Sequence, residues 1–213
     1  MPLCCMHFSN LNAFVNYRML IFIAFCDIIP AFNRWYFAAV FLFVGKIMKF
    51  SNQGIELLKQ LEGHVTRGNL HIIYDDKTGR PIDGGAPLPC GATIGYGHLI
   101  KPGEDFTGGI TERVATKLLC ADIVAAQRAV QNNITVPLTQ NQYDALVIFA
   151  YNIGAKNFAN STVVKYINNP NFHSSIYPNL ESAWRAWNKS GARVMAGLNR
   201  RRDRELRLFV RGI

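Results

Sequence analysis

The stretch "CGATIGYGHLI" (residues 90–100) sets three glycines, a threonine, a tyrosine and a histidine into a run that otherwise has the apolar, β-branched character of a strand. Gly95 and Gly97 alternate along it, and side chains missing at that period let a polymer or a second backbone approach one face of a sheet. The surrounding segment, residues 64–100, carries turn signals at "RGN", "DDKTGRP" and "DGGAP", separated by the β-prone "LHIIY" and "ATIGYGHLI", and reads as a small irregular sheet. Before it, "SNQGIELLKQLEG" (51–63) puts Ile55, Leu58 and Leu61 on one helical face, with Ser51 placed to cap the helix and Gly63 to stop it. After it, "GGITERVATKLLCADIVAAQRAVQNN" (108–133) reads as one long amphipathic helix capped by Thr111. "PLTQNQYDALVIFAYNIG" (137–154) has the capping-box order at Thr139 and Gln142 and ends on Gly154. Shorter helices are expected in "NSTVVKYINN" and "NLESAWRAWNK", and a last helix in "GLNRRRDRELRLFVRG" with Leu206 and Phe209 inward. A helix, a small sheet and then a helical bundle make an α+β domain.

The 213 residues suffice for one domain with a core, or for one domain and an appendage. With 49% hydrophobic and 17% charged residues the composition is that of a globular protein. The net charge of +9 calls for an acidic partner: nucleic acid, anionic lipid or anionic wall polymer. No nucleic-acid module, metal motif or cofactor motif is present, and the aromatics read as core. Five cysteines at irregular spacing form no CxxC pair; Cys90 and Cys120 are candidates for a disulfide only in an exported protein. Residues 1–47 differ from the rest, with Arg18, Asp27, Arg34 and Lys46 their only charged side chains. "MLIFIAFCDIIPAF" is broken by Asp27 and Pro30, and "WYFAAVFLFVG" is shorter than the roughly 20 residues a spanning helix needs. This hydrophobic N-terminal extension is an upstream segment without function, a signal or releasable signal-anchor touching the membrane through 19–45, or an accessory segment. A domain of 48–213 begins with "MKFSNQGIELL".

The candidate acids are few. Glu62 ends an apolar helix, where the helix dipole repels an anion by about 0.3–1 kcal/mol. Asp75 and Asp76 stand side by side in "YDDKTG", a sequence that also serves as a plain turn. Thr93 and His98, taken singly, read as strand former and structural histidine. In order, however, Glu-Gly at a helix end, Tyr-x-Asp-x-x-Gly and Thr-Ile-Gly-x-Gly-His resemble the phage-type lysozymes of glycoside hydrolase family 24. The likeness continues in "QYDALVIFAYNIG", "FANSTVVKYIN" and "AWRAWNKSG" and runs from about Met48 to the C-terminus.

The resemblance implies a lysozyme-like fold, with an active-site cleft between a small sheet lobe and a helical lobe. It implies a muramidase that cleaves the β-1,4 bond between N-acetylmuramic acid and N-acetylglucosamine in bacterial peptidoglycan. Such an enzyme acts as a monomer without a cofactor, and serves lysis by a phage or prophage from the host cytoplasm towards the cell wall. Glu62 matches the catalytic acid, Asp76 the second carboxylate and Thr93 the active-site hydroxyl. Gly95, Tyr96, Gly97, Asn152 and Gly154 match substrate-lining positions, Arg200 the arginine beside the acid, and His98 a supporting histidine. Inversion requires the two carboxyl groups roughly 6.5–9.5 Å apart. "RPIDGGAPLPC" is an insertion after Gly79; Asp76 keeps the motif spacing and is preferred to Asp75, with Asp83 behind both. A lytic transglycosylase, which needs no water site at Asp76 and Thr93, and a non-catalytic wall binder are the alternatives.

Overall fold

Sequence chemistry delimits the first helix, α1 (Asn52–Glu62), at both ends. The Ser51 hydroxyl accepts the Gly54 N–H at 3.0 Å, and the Gly63 N–H returns to the Lys59 carbonyl at 3.1 Å. A Ser cap of this kind is worth about 1 kcal/mol. The computed structural model describes residues 48–83 and 88–211; the hydrophobic segment 1–47, with its expected membrane contact and Cys4, Cys5 and Cys26, lies outside the described residues. Among the described residues no helix is long and apolar enough to cross a membrane.

The sheet region follows as β1 (Thr66–Arg67), β2 (Leu70–His71), β3 (Tyr74–Asp75), β4 (Ala92–Ile94), β5 (His98–Leu99) and β6 (Ile110–Thr111). "LHIIY" is not one strand. Its first half pairs with β1 and β6 in one antiparallel sheet, and its end pairs with β4 in a second sheet ordered β3-β4-β5. "ATIGYGHLI" likewise folds into a hairpin, with Ile94 opposite His98 and the Gly95–Gly97 bend between them. Gly95 has φ +63, and a Cβ there would stand 3.2 Å from the Ala115 Cβ. It therefore permits a left-handed turn and close packing on a helix, in place of the flat strand face expected from its alternation with Gly97.

The expected long helix is two, α2 (Glu112–Asp122) and α3 (Val124–Asn133), separated at the buried Ile123, whose ψ of −11 leaves the helical value. Thr111 stands at the start of α2 without a side-chain capping bond. α4 (Gln140–Ile153) opens on the expected capping box and is buried continuously from Tyr143 to Ala150. That makes it the central helix, as its apolar circumference requires. Buried Asp144 accepts the Ser51 N–H at 3.1 Å and so ties the start of α1 to α4. α5 (Ala155–Asn160), α6 (Thr162–Asn168), α7 (Leu180–Arg185), the hairpin β7 (Lys189–Ser190) and β8 (Arg193–Val194), and α8 (Ala196–Arg211) complete the chain, with α8 packed along α4. Phe149, Phe158, Trp184 and Leu208 fill the core between these helices.

Candidate active site

Glu62 is the last residue of α1, and its side chain is 19% exposed. Arg201 Nη2 donates to its Oε1 at 2.7 Å. The other oxygen, Oε2, faces the hairpin bend, where a Cβ added to Gly97 would stand 3.9 Å away. Arg201 belongs to α8, whose inward positions Leu198, Arg201, Arg202, Glu205 and Leu206 follow the i, i+3, i+4, i+7 rhythm. Arg200, the arginine expected beside Glu62, is exposed: one residue along a helix turns a side chain by 100°, and this places Arg201, not Arg200, against the acid.

Strand pairing separates the surroundings of the two neighbouring aspartates. Tyr74 stands opposite Thr93 and Asp75 opposite Ala92, so the period of two turns Asp75 away from the face of Tyr74 and Thr93, while Asp76 stands one residue past β3, exposed at the start of the turn. Asp76 N–H and Thr93 Oγ1 both point to the Gly91 carbonyl, at 3.4 and 3.0 Å. Thr93 is buried and its proton is committed to that carbonyl, so towards a water its hydroxyl is an acceptor. Asp75 instead closes the turn, accepting the Thr78 hydroxyl at 2.7 Å and the Thr78 N–H at 2.8 Å, and these bonds hold its carboxyl below the usual aspartate range. Asp83 pairs with Arg67 in the open, at 3.2 Å.

Tyr74 is a buried residue of β3. Burial pushes its phenol up, and the Asp76 and Glu62 carboxylates push it further, so both lie within electrostatic reach of one buried hydroxyl. Tyr151 on α4 is raised by its own burial and then by Glu62. Neither tyrosine stood among the sequence candidates, although Tyr74 opens the Tyr-x-Asp-x-x-Gly motif.

The remaining candidates divide. Gly97 borders Glu62, whereas Gly95 packs on Ala115 and is closed to a glycan. Tyr96 is also turned inward: it is 6% exposed, and its hydroxyl donates to Glu112 at 2.8 Å. Burial and Glu112 together push its phenol up to about 12. Burial opposes ionisation of Glu112, yet Lys59, His71, Tyr96 and Thr116 hold its carboxyl down to about 2. His98 is 4% exposed and braced between Asp122 at 2.8 Å and Glu104 at 3.1 Å. Asn152 accepts from Arg202, and Gly154 ends α4 on an exposed corner. Cys90 and Cys120 are both free thiols, so the candidate disulfide is not formed. Among the described residues no three His, Cys, Asp or Glu side chains converge as a metal site.

A helical bundle joined to small antiparallel sheets, with a Glu at the end of its first helix and an Asp and a Thr on the following hairpin, defines a lysozyme-like α+β fold. The family model described as phage lysozyme matches residues 79–205, and the chain belongs to this family. Glu62 and Asp76 stand just N-terminal to that match. The endolysin of Salmonella phage P22 is 35% identical over 167 residues, a span of 77% of this chain and 99% of that one. The endolysin of Bacillus phage B103 is 36% identical over 167 residues, covering 78% of this chain but 55% of its own length, so the chain spans about half of that relative. Among solved structures, the muramidase domain of SpmX from Asticaccaulis excentricus superposes with a TM-score of 0.59 at 32% identity, over 76% of this chain and 98% of that one.

Proposed function

We propose that this chain is a muramidase of bacterial peptidoglycan in which Glu62 is the general acid and Asp76 the general base. The observation that carries the reading is Glu62 bound to Arg201 at 2.7 Å beside Gly97 of the hairpin that bears Thr93, with Asp76 just past the strand paired to it. Glu62 is mostly enclosed and held by one oxygen, and Asp76 is open to solvent. Endolysin relatives and a muramidase neighbour support it. Glu62 protonates the oxygen leaving the muramic acid C1 as that bond breaks. Asp76 takes a proton from a water that hydrogen-bonds to Thr93 Oγ1, and the water oxygen bonds to C1 from the opposite face. The sugar inverts, one water is consumed, and between turnovers Asp76 gives up its proton to solvent while Glu62 takes one back, so that each resumes its role. Gly97 leaves room for the glycan beside Glu62. The enzyme works as a monomer on the wall of the host during phage or prophage lysis, and the charge of +9 draws it to an anionic polymer, an attraction that salt weakens.

The test is digestion of purified peptidoglycan in water enriched in heavy oxygen, by the wild type and by Glu62→Gln. Labelled reducing-end muramic acid from the wild type, lost in the variant, is the expected result. Unlabelled anhydro ends would make the enzyme a transglycosylase. Binding without cleavage would make it a wall-binding module.

A further inference from the structure

Glu205 has no place in the reaction above, yet it is the most enclosed carboxylate among the described residues, 0% exposed on the inner face of α8. Its Oε1 accepts Arg201 Nε at 3.1 Å and lies 3.2 Å from Arg202 Nη2, and its Oε2 accepts the Trp184 indole N–H at 2.9 Å. The same Arg201 guanidinium spans from Glu205, through Nε, to Glu62, through Nη2. A guanidinium is a rigid planar fork, so anchoring one edge aims the other.

We propose that Glu205 is a positioning residue for Glu62, setting both the direction of Arg201 and the charge that Glu62 feels when it holds its proton. This rests on the assignment of Glu62 as the acid.

With Glu62 ionised, the cluster of Glu62, Glu205, Arg201 and Arg202 is neutral; with Glu62 protonated it carries one positive charge. Removing Glu205 adds a further positive charge to both states and disfavours the protonated form that a general acid requires. The Glu205 carboxyl is raised on balance, by burial first and against the pull of Arg202, Arg201 and the Trp184 N–H; its partners all donate to it, which is the arrangement an anion requires. Arg202 is pushed down to about 10, by burial first, and so stays cationic at neutral pH; its Nε and Nη1 have no partner among the described residues. Two phenols feel the Glu62 charge, Tyr74 on β3 and Tyr151 on α4, both raised, by burial first, and neutral where the enzyme works. A buried ion cluster is a poor device for stability, since apolar side chains of the same volume often serve as well or better. Its presence directly behind a catalytic candidate is what a charge-balancing role explains.

The test uses the full chain as wild type, Glu205→Gln and Arg202→Met. The alkaline limb of the pH–activity profile is read beside a carbon NMR titration of the Glu62 carboxyl, which needs no turnover. Removing the anion should move both readouts to lower pH by about one to three units, and removing the cation should move both to higher pH. A purely structural role would lower stability and activity and leave both midpoints in place, in whichever variant folds, and that result would overturn the proposal. Opposite NMR shifts in a protein that cleaves no peptidoglycan would keep the coupling and dismiss Glu62 as a catalytic acid.

Discussion

Glu62 and Asp76 stand on regions built in opposite ways. Glu62 closes a helix whose neighbours are a buried arginine, a buried glutamate and a continuous apolar core, so its orientation is set by enclosed, hydrogen-bonded groups. Asp76 lies just past a two-residue strand, exposed, with only its N–H pointing to Gly91. The first region places a side chain by packing and ion pairing; the second holds only the backbone beside it, through the paired strands and the Gly91 carbonyl. The proposed mechanism asks these two carboxylates to differ in protonation, and a difference in surroundings is the simplest way to separate them.

Several substitutions sharpen or break the contrast. Glu62→Gln should lower peptidoglycan cleavage by about 10²–10⁴-fold with the thermal midpoint near that of the wild type. A collapse of the fold instead would show that the ion cluster, rather than the substrate, needs this carboxylate. Gly95→Ala should remove about 1–2 kcal/mol, because φ is +63 and the added methyl meets Ala115. The denaturant midpoint checks this, and an unchanged midpoint would mean that the hairpin bend adapts freely.

Acid should loosen the corner where α2 begins. The Glu112 carboxyl lies at about 2 in the fold against an ordinary 4.5, so its contribution is complete above pH 4.5 and is lost as pH falls towards 2. Stability over that window should fall more steeply in the wild type than in Glu112→Gln. The smallest effect is optical: the Tyr96 phenol, raised to about 12, should give phenolate absorbance later than an exposed tyrosine, and Tyr96→Phe should remove that late step.

Much of this was legible in the sequence where the determinants are local. The Ser51 cap, the stop at Gly63 and the Thr139–Gln142 capping box depend on neighbours within a turn, and the structure has all of them. The division of "LHIIY" between two sheets was not legible, because Leu70 and His71 are claimed by Ile110 and Thr111 while Tyr74 is claimed by Thr93, partners that lie 19 to 41 residues away. The break at Ile123 comes without Gly or Pro to announce it. Arg201 was legible in principle: spacing from Leu206 and Phe209 marks 198, 201, 202 and 205 as the inner row, and motif alignment alone points one residue short. The inward turns of Gly95 and Tyr96 follow from the hairpin, which an alternating pattern read as a flat strand conceals.

The most direct measurement of the account is the rate of peptidoglycan cleavage by Asp76→Asn beside Asp75→Asn, each corrected for its folded fraction. With Asp76 as the base, Asp76→Asn should lose about 100-fold or more while Asp75→Asn stays within a few-fold of the wild type and loses only turn stability. Equal losses, or a larger loss from Asp75→Asn, would contradict the assignment of the second carboxylate and the face on which the reaction is placed.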